Sequence, residues 1–153
     1  MIRGREIRGL PVFAGRKKEE IGRVQDIVVG LSGQMEALVI VSNKMLAKNY
    51  FVECIHVKEI SKKGVIVPNK ANLKKRPKNL VTIGKEGWVG SKVFNTNGKD
   101  EGTVSDVIVE DGQVTGLEIS QGIVEDLSNG RIFLPWDKFK KEGKNFIKMD
   151  IYN

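Results

Sequence analysis

Gly22-Arg23-Val24-Gln25-Asp26-Ile27-Val28-Val29 returns about 80 residues later as Gly102-Thr103-Val104-Ser105-Asp106-Val107-Ile108-Val109. The agreement extends outward from this stretch. Upstream, Gly9-Leu10-Pro11-Val12-Phe13 matches Gly90-Ser91-Lys92-Val93-Phe94, and the polar turns that follow differ by one residue. Downstream, the tight polar turns Ser32-Gly33 and Asp111-Gly112 each lead into an apolar run, residues 35–41 and 114–119. Tyr50-Phe51-Val52 then matches Ile132-Phe133-Leu134, and Val65-Ile66-Val67 matches Phe146-Ile147-Lys148. A period this long is too great for a solenoid unit and suits a duplicated small domain.

The local signals within each copy are β. The apolar runs are short, rich in Val and Ile, and bounded by Gly, Asn, Asp and Ser. Asp111-Gly112 suits a two-residue type I′ turn, which needs positive φ at both central positions, and Asn97-Gly98 has a similar setting. Gly22 and Gly102 are expected at a bulge or a close backbone approach. The Ile21–Val29 run does not alternate cleanly: Ile21, Ile27 and Val29 share one face, and Val24 and Val28 the other. Such mixing suits a strand bending across a small closed barrel. Ser120–Leu127 is expected to form one or two helical turns, and Pro135–Phe139 a single turn. Pro68–Asn79, polar, basic and bracketed by prolines, reads as an inter-domain linker. The expected fold is therefore all-β: two tandem small β-barrels over 1–67 and 80–153, joined by a basic linker over 68–79.

The pattern Gly-x-x-Val, turn, Gly-x-Val-x-Asp-(Ile/Val)-(Val/Ile)-Val, tight turn, apolar strand and late Phe-Leu-Pro strand resembles the PRC-barrel domain. That small β-barrel occurs in the photosynthetic reaction-centre H subunit and in the C-terminal half of the bacterial ribosome maturation factor. The resemblance covers nearly the whole chain as two tandem copies, a form similar to that of certain bacterial proteins. It implies a docking or adaptor module and carries over no catalytic motif.

The 153 residues are 40% hydrophobic and 29% charged, an ordinary globular composition that excludes a wholly disordered chain. The longest aliphatic run is Ala37-Leu38-Val39-Ile40-Val41, far short of the roughly 18 residues of a membrane-spanning helix. The first residues carry no apolar signal segment, so a cytoplasmic location is expected. Cys54 is the single cysteine and His56 the single histidine, which excludes an intramolecular disulfide or a multi-Cys zinc site. No Gly-rich phosphate loop is present. The expectation is a non-enzymatic chain with no catalytic, cofactor or metal residues.

Charge is uneven. Residues 1–80 hold 17 Lys and Arg against 7 Asp and Glu, a balance of +10, whereas residues 81–153 carry −3. Arg3, Arg5, Arg8, Lys70, Lys74, Lys75, Arg76 and Lys78 are therefore candidate contacts to an anionic partner such as RNA or the ribosome. The basic half has few aromatics for base stacking, so protein docking stands ahead of RNA association. A basic half and an acidic half also suit a homodimer. Trp88, Trp136 and Phe139 are candidate partner-facing aromatics, although core filling is the preferred reading because so small a core needs its large side chains. Asp26 and Asp106, between apolar neighbours, are expected to accept backbone N–H bonds at a strand bend. Cys54 and His56, two apart, would share a face if they lie on a strand. A small buried hydrophobe is the expected role of Cys54.

Overall fold

The computed structural model describes residues 2–43, 49–77, 82–84, 87–121, 132–143 and 146–149. The first half builds one curled seven-stranded sheet. Its strands are β2 (Pro11–Ala14), β3 (Glu19–Val29), β4 (Met35–Ser42), β5 (Asn49–Glu53), β6 (Glu59–Ser61), β7 (Gly64–Val67) and β8 (Lys74–Lys75), in the order β6-β7-β2-β3-β4-β5-β8. The second half repeats this with β9 (Lys92–Phe94), β10 (Asp100–Glu110), β11 (Gln113–Ser120), β12 (Ile132–Pro135), β13 (Phe139–Lys141) and β14 (Phe146–Met149), ordered β12-β11-β10-β9-β14-β13. The duplication is thus one of topology as well as sequence: β2 pairs β7 in parallel, as β9 pairs β14.

Both long strands carry the same irregularities. The β3–β4 register shifts between Val24 and Asp26 and again between Val28 and Val29, and β10–β11 shifts at Val104/Asp106 and Ile108/Val109. A bulge inserts an extra residue and turns the following side chains over. Val24, Ile27 and Val29 consequently all reach the main core, while Val28 points to a separate outer cluster with Ala37 and Val39. This corrects the expected face assignment, which put Val24 with Val28; strict period two does not survive a bulge. Gly22 and Gly102 lie where a Cβ would strike the Val41 and Ser120 carbonyl oxygens, a close approach that only glycine permits. Asp111 and Gly112 both have positive φ, 50° and 75°, as the hairpin turn requires.

The halves exchange their leading segments. Strand β1 (Ile2–Arg3) pairs with β10 of the second half, Ile2 opposite Val109 and Arg3 opposite Ile108. The one-turn helix α1 (Gly4–Ile7) follows it. Reciprocally, Thr82 bridges Val28 on β3, and Ile83 N–H donates to the Ile27 carbonyl at 3.0 Å. The hairpin tips close the arrangement: Met35 N–H donates to the Gly112 carbonyl (3.1 Å), and Val114 N–H to the Gly33 carbonyl (2.7 Å). These reciprocal bonds define an internal two-fold relation, and one apolar core, from Ile7 and Val12 to Leu134 and Ile147, runs through both halves.

Part of the stretch read as a linker belongs to the first sheet. Lys70–Asn72 forms a 3₁₀ turn started by Asn69, whose side chain accepts the Ala71 N–H, and β8 pairs with β5. Pro135–Phe139 contains the expected single turn, a 3₁₀ turn at Trp136–Lys138. Ser120 ends β11; the rest of the helix expected over 120–127 lies, beyond residue 121, outside the described residues.

Candidate docking surface

Asp26 and Asp106 do accept backbone N–H bonds at their bulges, and the donors include the exchanged segments. Asp26 Oδ1 accepts from Ile27 N–H (2.8 Å) and from Gly84 N–H (3.1 Å). Asp106 uses both of its oxygens, Oδ1 accepting from Val107 N–H (2.8 Å) and Oδ2 from Arg5 N–H (3.2 Å). Each carboxylate is a clasp for the segment the other half sends across. Among the described residues, Asp106 engages backbone donors through both oxygens and Asp26 through Oδ1 alone.

The predicted cations divide between the halves. Arg3 Nε donates to Glu118 Oε2 at 2.8 Å, and Arg5 Nε lies 3.8 Å from Asp106. Lys70 pairs with Glu19, and Lys74 with Glu53 at 3.2 Å. Hydrogen bonding to Glu118 raises the pKa of Arg3 further. Half of the eight candidates are therefore held by carboxylates of the same chain. Arg8, Lys75 and Arg76 complete the described set; Lys78 lies outside it.

The three candidate aromatics meet one another, and Trp136 is half-buried. Trp88 and Phe139 are buried, with the Trp88 ring centroid 4.9 Å from that of Trp136 and 5.8 Å from that of Phe139. Trp136 and Phe139 meet edge to face at 5.2 Å. Trp136 Nε1–H donates to the Leu31 carbonyl of the other half at 3.2 Å. Lys141 Nζ sits 4.4 Å above the Trp88 ring and donates to the Gly87 carbonyl at 2.9 Å; burial lowers its pKa. The cluster lies at a seam between halves, where Trp88 and Phe139 fill core.

The exposed large apolar side chains lie elsewhere: Leu31, Ile55, Ile132, Phe133 and Phe146. Ile132 and Phe133 are neighbours on β12, which ends its sheet. Beside them opens a groove of about 500 Å³, lined also by Arg3, Ile108, Glu110 and Glu118. Sequence reasoning missed this pair. Its signal was available, since Tyr50-Phe51 and Ile132-Phe133 align, but only topology shows that one edge is covered and the other, among the described residues, is not.

The PRC-barrel domain model matches residues 1–73 and again 87–153. The chain belongs to the PRC-barrel family. No curated protein matches it significantly. As a PRC-barrel protein it carries two copies of what is, in general, a non-catalytic barrel module. Among its described residues no helix is long and apolar enough to cross a membrane.

Cys54 and His56 of this PRC-barrel protein do not share a strand face. They belong to a 3₁₀ turn, Cys54–His56, the counterpart of the turn at Trp136. Cys54 is half-buried against the main core. Burial, with the Glu36 carboxylate adding to it, pushes its thiol up to about 11, so it is protonated at neutral pH and a poor nucleophile.

Proposed function

We propose that this tandem PRC-barrel protein is a non-enzymatic, intracellular docking module for another protein. One observation carries the reading: the outer edge of β12, with Ile132 and Phe133 exposed, has no strand against it among the described residues. An unpaired edge displays a row of backbone donors and acceptors, and natural proteins blunt such edges with charge or cover them unless they are used. Here the two residues on the edge are large and apolar, the pattern of a binding surface. The opposing signal, the basic first half, is weakened because four of its candidate cations already face carboxylates.

The test is affinity capture of the full chain from lysate of its own cells, with and without nuclease. A protein retained in fixed proportion to the bait after nuclease and high-salt washing is expected. Loss of every captured protein on nuclease treatment would move the assignment to RNA or the ribosome.

A further inference from the structure

The two halves are near copies, and the first shows what the second's open edge accepts. In the first half Phe51 opposes Val39 and Tyr50 opposes Ile40; in the second Phe133 opposes Glu118 and Ile132 opposes Ile119. Phe133 and Ile132 are therefore the counterparts of Phe51 and Tyr50. In the first half that edge is filled: β8 pairs antiparallel with β5, Lys75 opposite Tyr50 and Lys74 opposite Phe51, and Lys74 Nζ reaches Glu53. The face beside it, Val28, Ala37 and Val39 with Phe51, is a closed apolar cluster. In the second half the corresponding positions are Ile108, Gly116, Glu118 and Phe133, and Ile108, Glu118 and Phe133 line the open groove. Phe133 is 50% exposed, whereas its counterpart Phe51 is the more buried of the two, packed against Val28, Ala37 and Val39.

We infer that β12 and its groove bind an extended, lysine-bearing segment of a partner protein, added antiparallel to β12 as β8 is added to β5. This rests on the docking reading above and names its site and the chemistry of its ligand. The backbone of the incoming strand pairs with the β12 edge, which supplies affinity without sequence demands; the alternating side chains supply selection. Glu110 lines the same groove from β10, two strands in from β12; it is exposed and makes no ion pair among the described residues, so a lysine side chain directed into the groove approaches it. The same ammonium has the Phe133 ring within the groove for a cation–π contact. Glu118 is not available for this role, being held by Arg3 Nε and contacted by the Ser105 hydroxyl. Of the ionic side chains lining the groove, Arg3 and Glu118 pair with each other, which leaves Glu110 as the charge without an ion pair among the described residues and favours a cationic segment over an anionic one.

The chain itself provides the probe: a fluorescent peptide of residues 70–77, Lys-Ala-Asn-Leu-Lys-Lys-Arg-Pro. Binding to the full chain is read by anisotropy up to about millimolar peptide, and its location by hydrogen exchange. Protection at 132–135 rather than 49–53 is expected. Glu110→Gln should weaken binding by up to about fivefold, the range for an exposed ion pair. Phe133→Ala should weaken it further. Peptide N-methylated at both central lysines should not bind, because the backbone donors are gone. Both substituted side chains are exposed, and unchanged melting temperatures verify the fold. Binding that ignores Glu110→Gln, Phe133→Ala and N-methylation, or protection confined to 49–53, overturns the proposal. So does a concentration-dependent dimer with 132–135 protected and no peptide bound, which assigns the edge to a second copy. Partners captured from lysate equally well by Phe133→Ala would refute this site while leaving the docking function standing.

Discussion

Replacing Asp106 should distinguish a clasp from an ordinary buried carboxylate. Its side chain is 2% exposed and accepts from Val107 N–H and Arg5 N–H through different oxygens. A hydrogen bond to a charged acceptor is worth about 1.5–3 kcal/mol, and a buried donor left unpaired costs comparably. Asp106→Ala strands one donor inside the bulge and one on the exchanged segment, where exposed Arg5 lets water compensate in part. The expected loss is about 3–5 kcal/mol, a large share of the roughly 5–15 kcal/mol typical of a folded chain. The asparagine variants sharpen the argument. Asp26 takes both of its donors on Oδ1 and is only half-buried, so Asp26→Asn keeps the acceptor and puts its NH₂ where Oδ2 accepts no bond among the described residues. Its expected cost is about 1 kcal/mol. In Asp106→Asn either amide orientation sets an NH₂ against a backbone N–H in a closed site, at a cost of about 2–3 kcal/mol. Urea unfolding, followed by the fluorescence of Trp88 and Trp136 at the seam, measures all of these. Equal losses for the two asparagine variants, or less than about 1 kcal/mol for Asp106→Ala, would refute the reasoning.

Three further expectations follow from the same contacts. Gly33→Ala places a Cβ 2.8 Å from the Val114 carbonyl oxygen and 3.0 Å from Trp136 Nε1 at a φ of +86°, so a loss of at least about 1–3 kcal/mol is expected in thermal unfolding. Trp136→Phe deletes the indole N–H that reaches Leu31 while keeping most of the ring packing, and should cost about 0.5–1.5 kcal/mol by urea titration. The Cys54 thiol, raised to about 11 from an ordinary value of 9.0, ionises only as pH approaches the higher value. Alkylation of the native chain should therefore climb about tenfold per pH unit through pH 10 without levelling, and a plateau near pH 9 would contradict the burial argument.

The architecture was open to sequence reading because duplication writes each landmark twice. Asp111-Gly112 demanded a hairpin, Gly22 and Gly102 a close approach, and Asp26 and Asp106 a bend with donors to satisfy, and each is found. The exchange of leading segments left no such trace. Ile2–Arg3 is too short to show a period, and its partner on β10 lies about a hundred residues away. The Val24–Asp26 bulge hid the true faces of β3 for a related reason: the shift is set by pairing with β4 rather than by composition. At the candidate surface, charge drew attention to lysines and arginines of which half turn out to be paired. Trp88 and Phe139, chosen as large aromatics, close the seam instead. The residues that matter for docking, Ile132 and Phe133, look like any strand until their counterparts are seen to be covered.

That contrast is the physical ground for placing function where the two-fold relation fails. Equivalent bonds at the hairpin tips, the bulges and the two clasps are duplicated because each stabilises the fold, and symmetric features need no other explanation. The two sheet edges are equivalent by topology and differ in occupancy. Leaving a pair of large apolar side chains and a strand edge in water forgoes burial worth about 25 cal/mol per Å² and invites edge-to-edge association. The chain satisfies this demand at β5 with residues of its own and leaves it unmet at β12 among the described residues. A fold that already holds a lysine strand on one such edge presents the second in the same geometry, next to a groove that Glu110 lines from β10, ready for a strand that another molecule supplies.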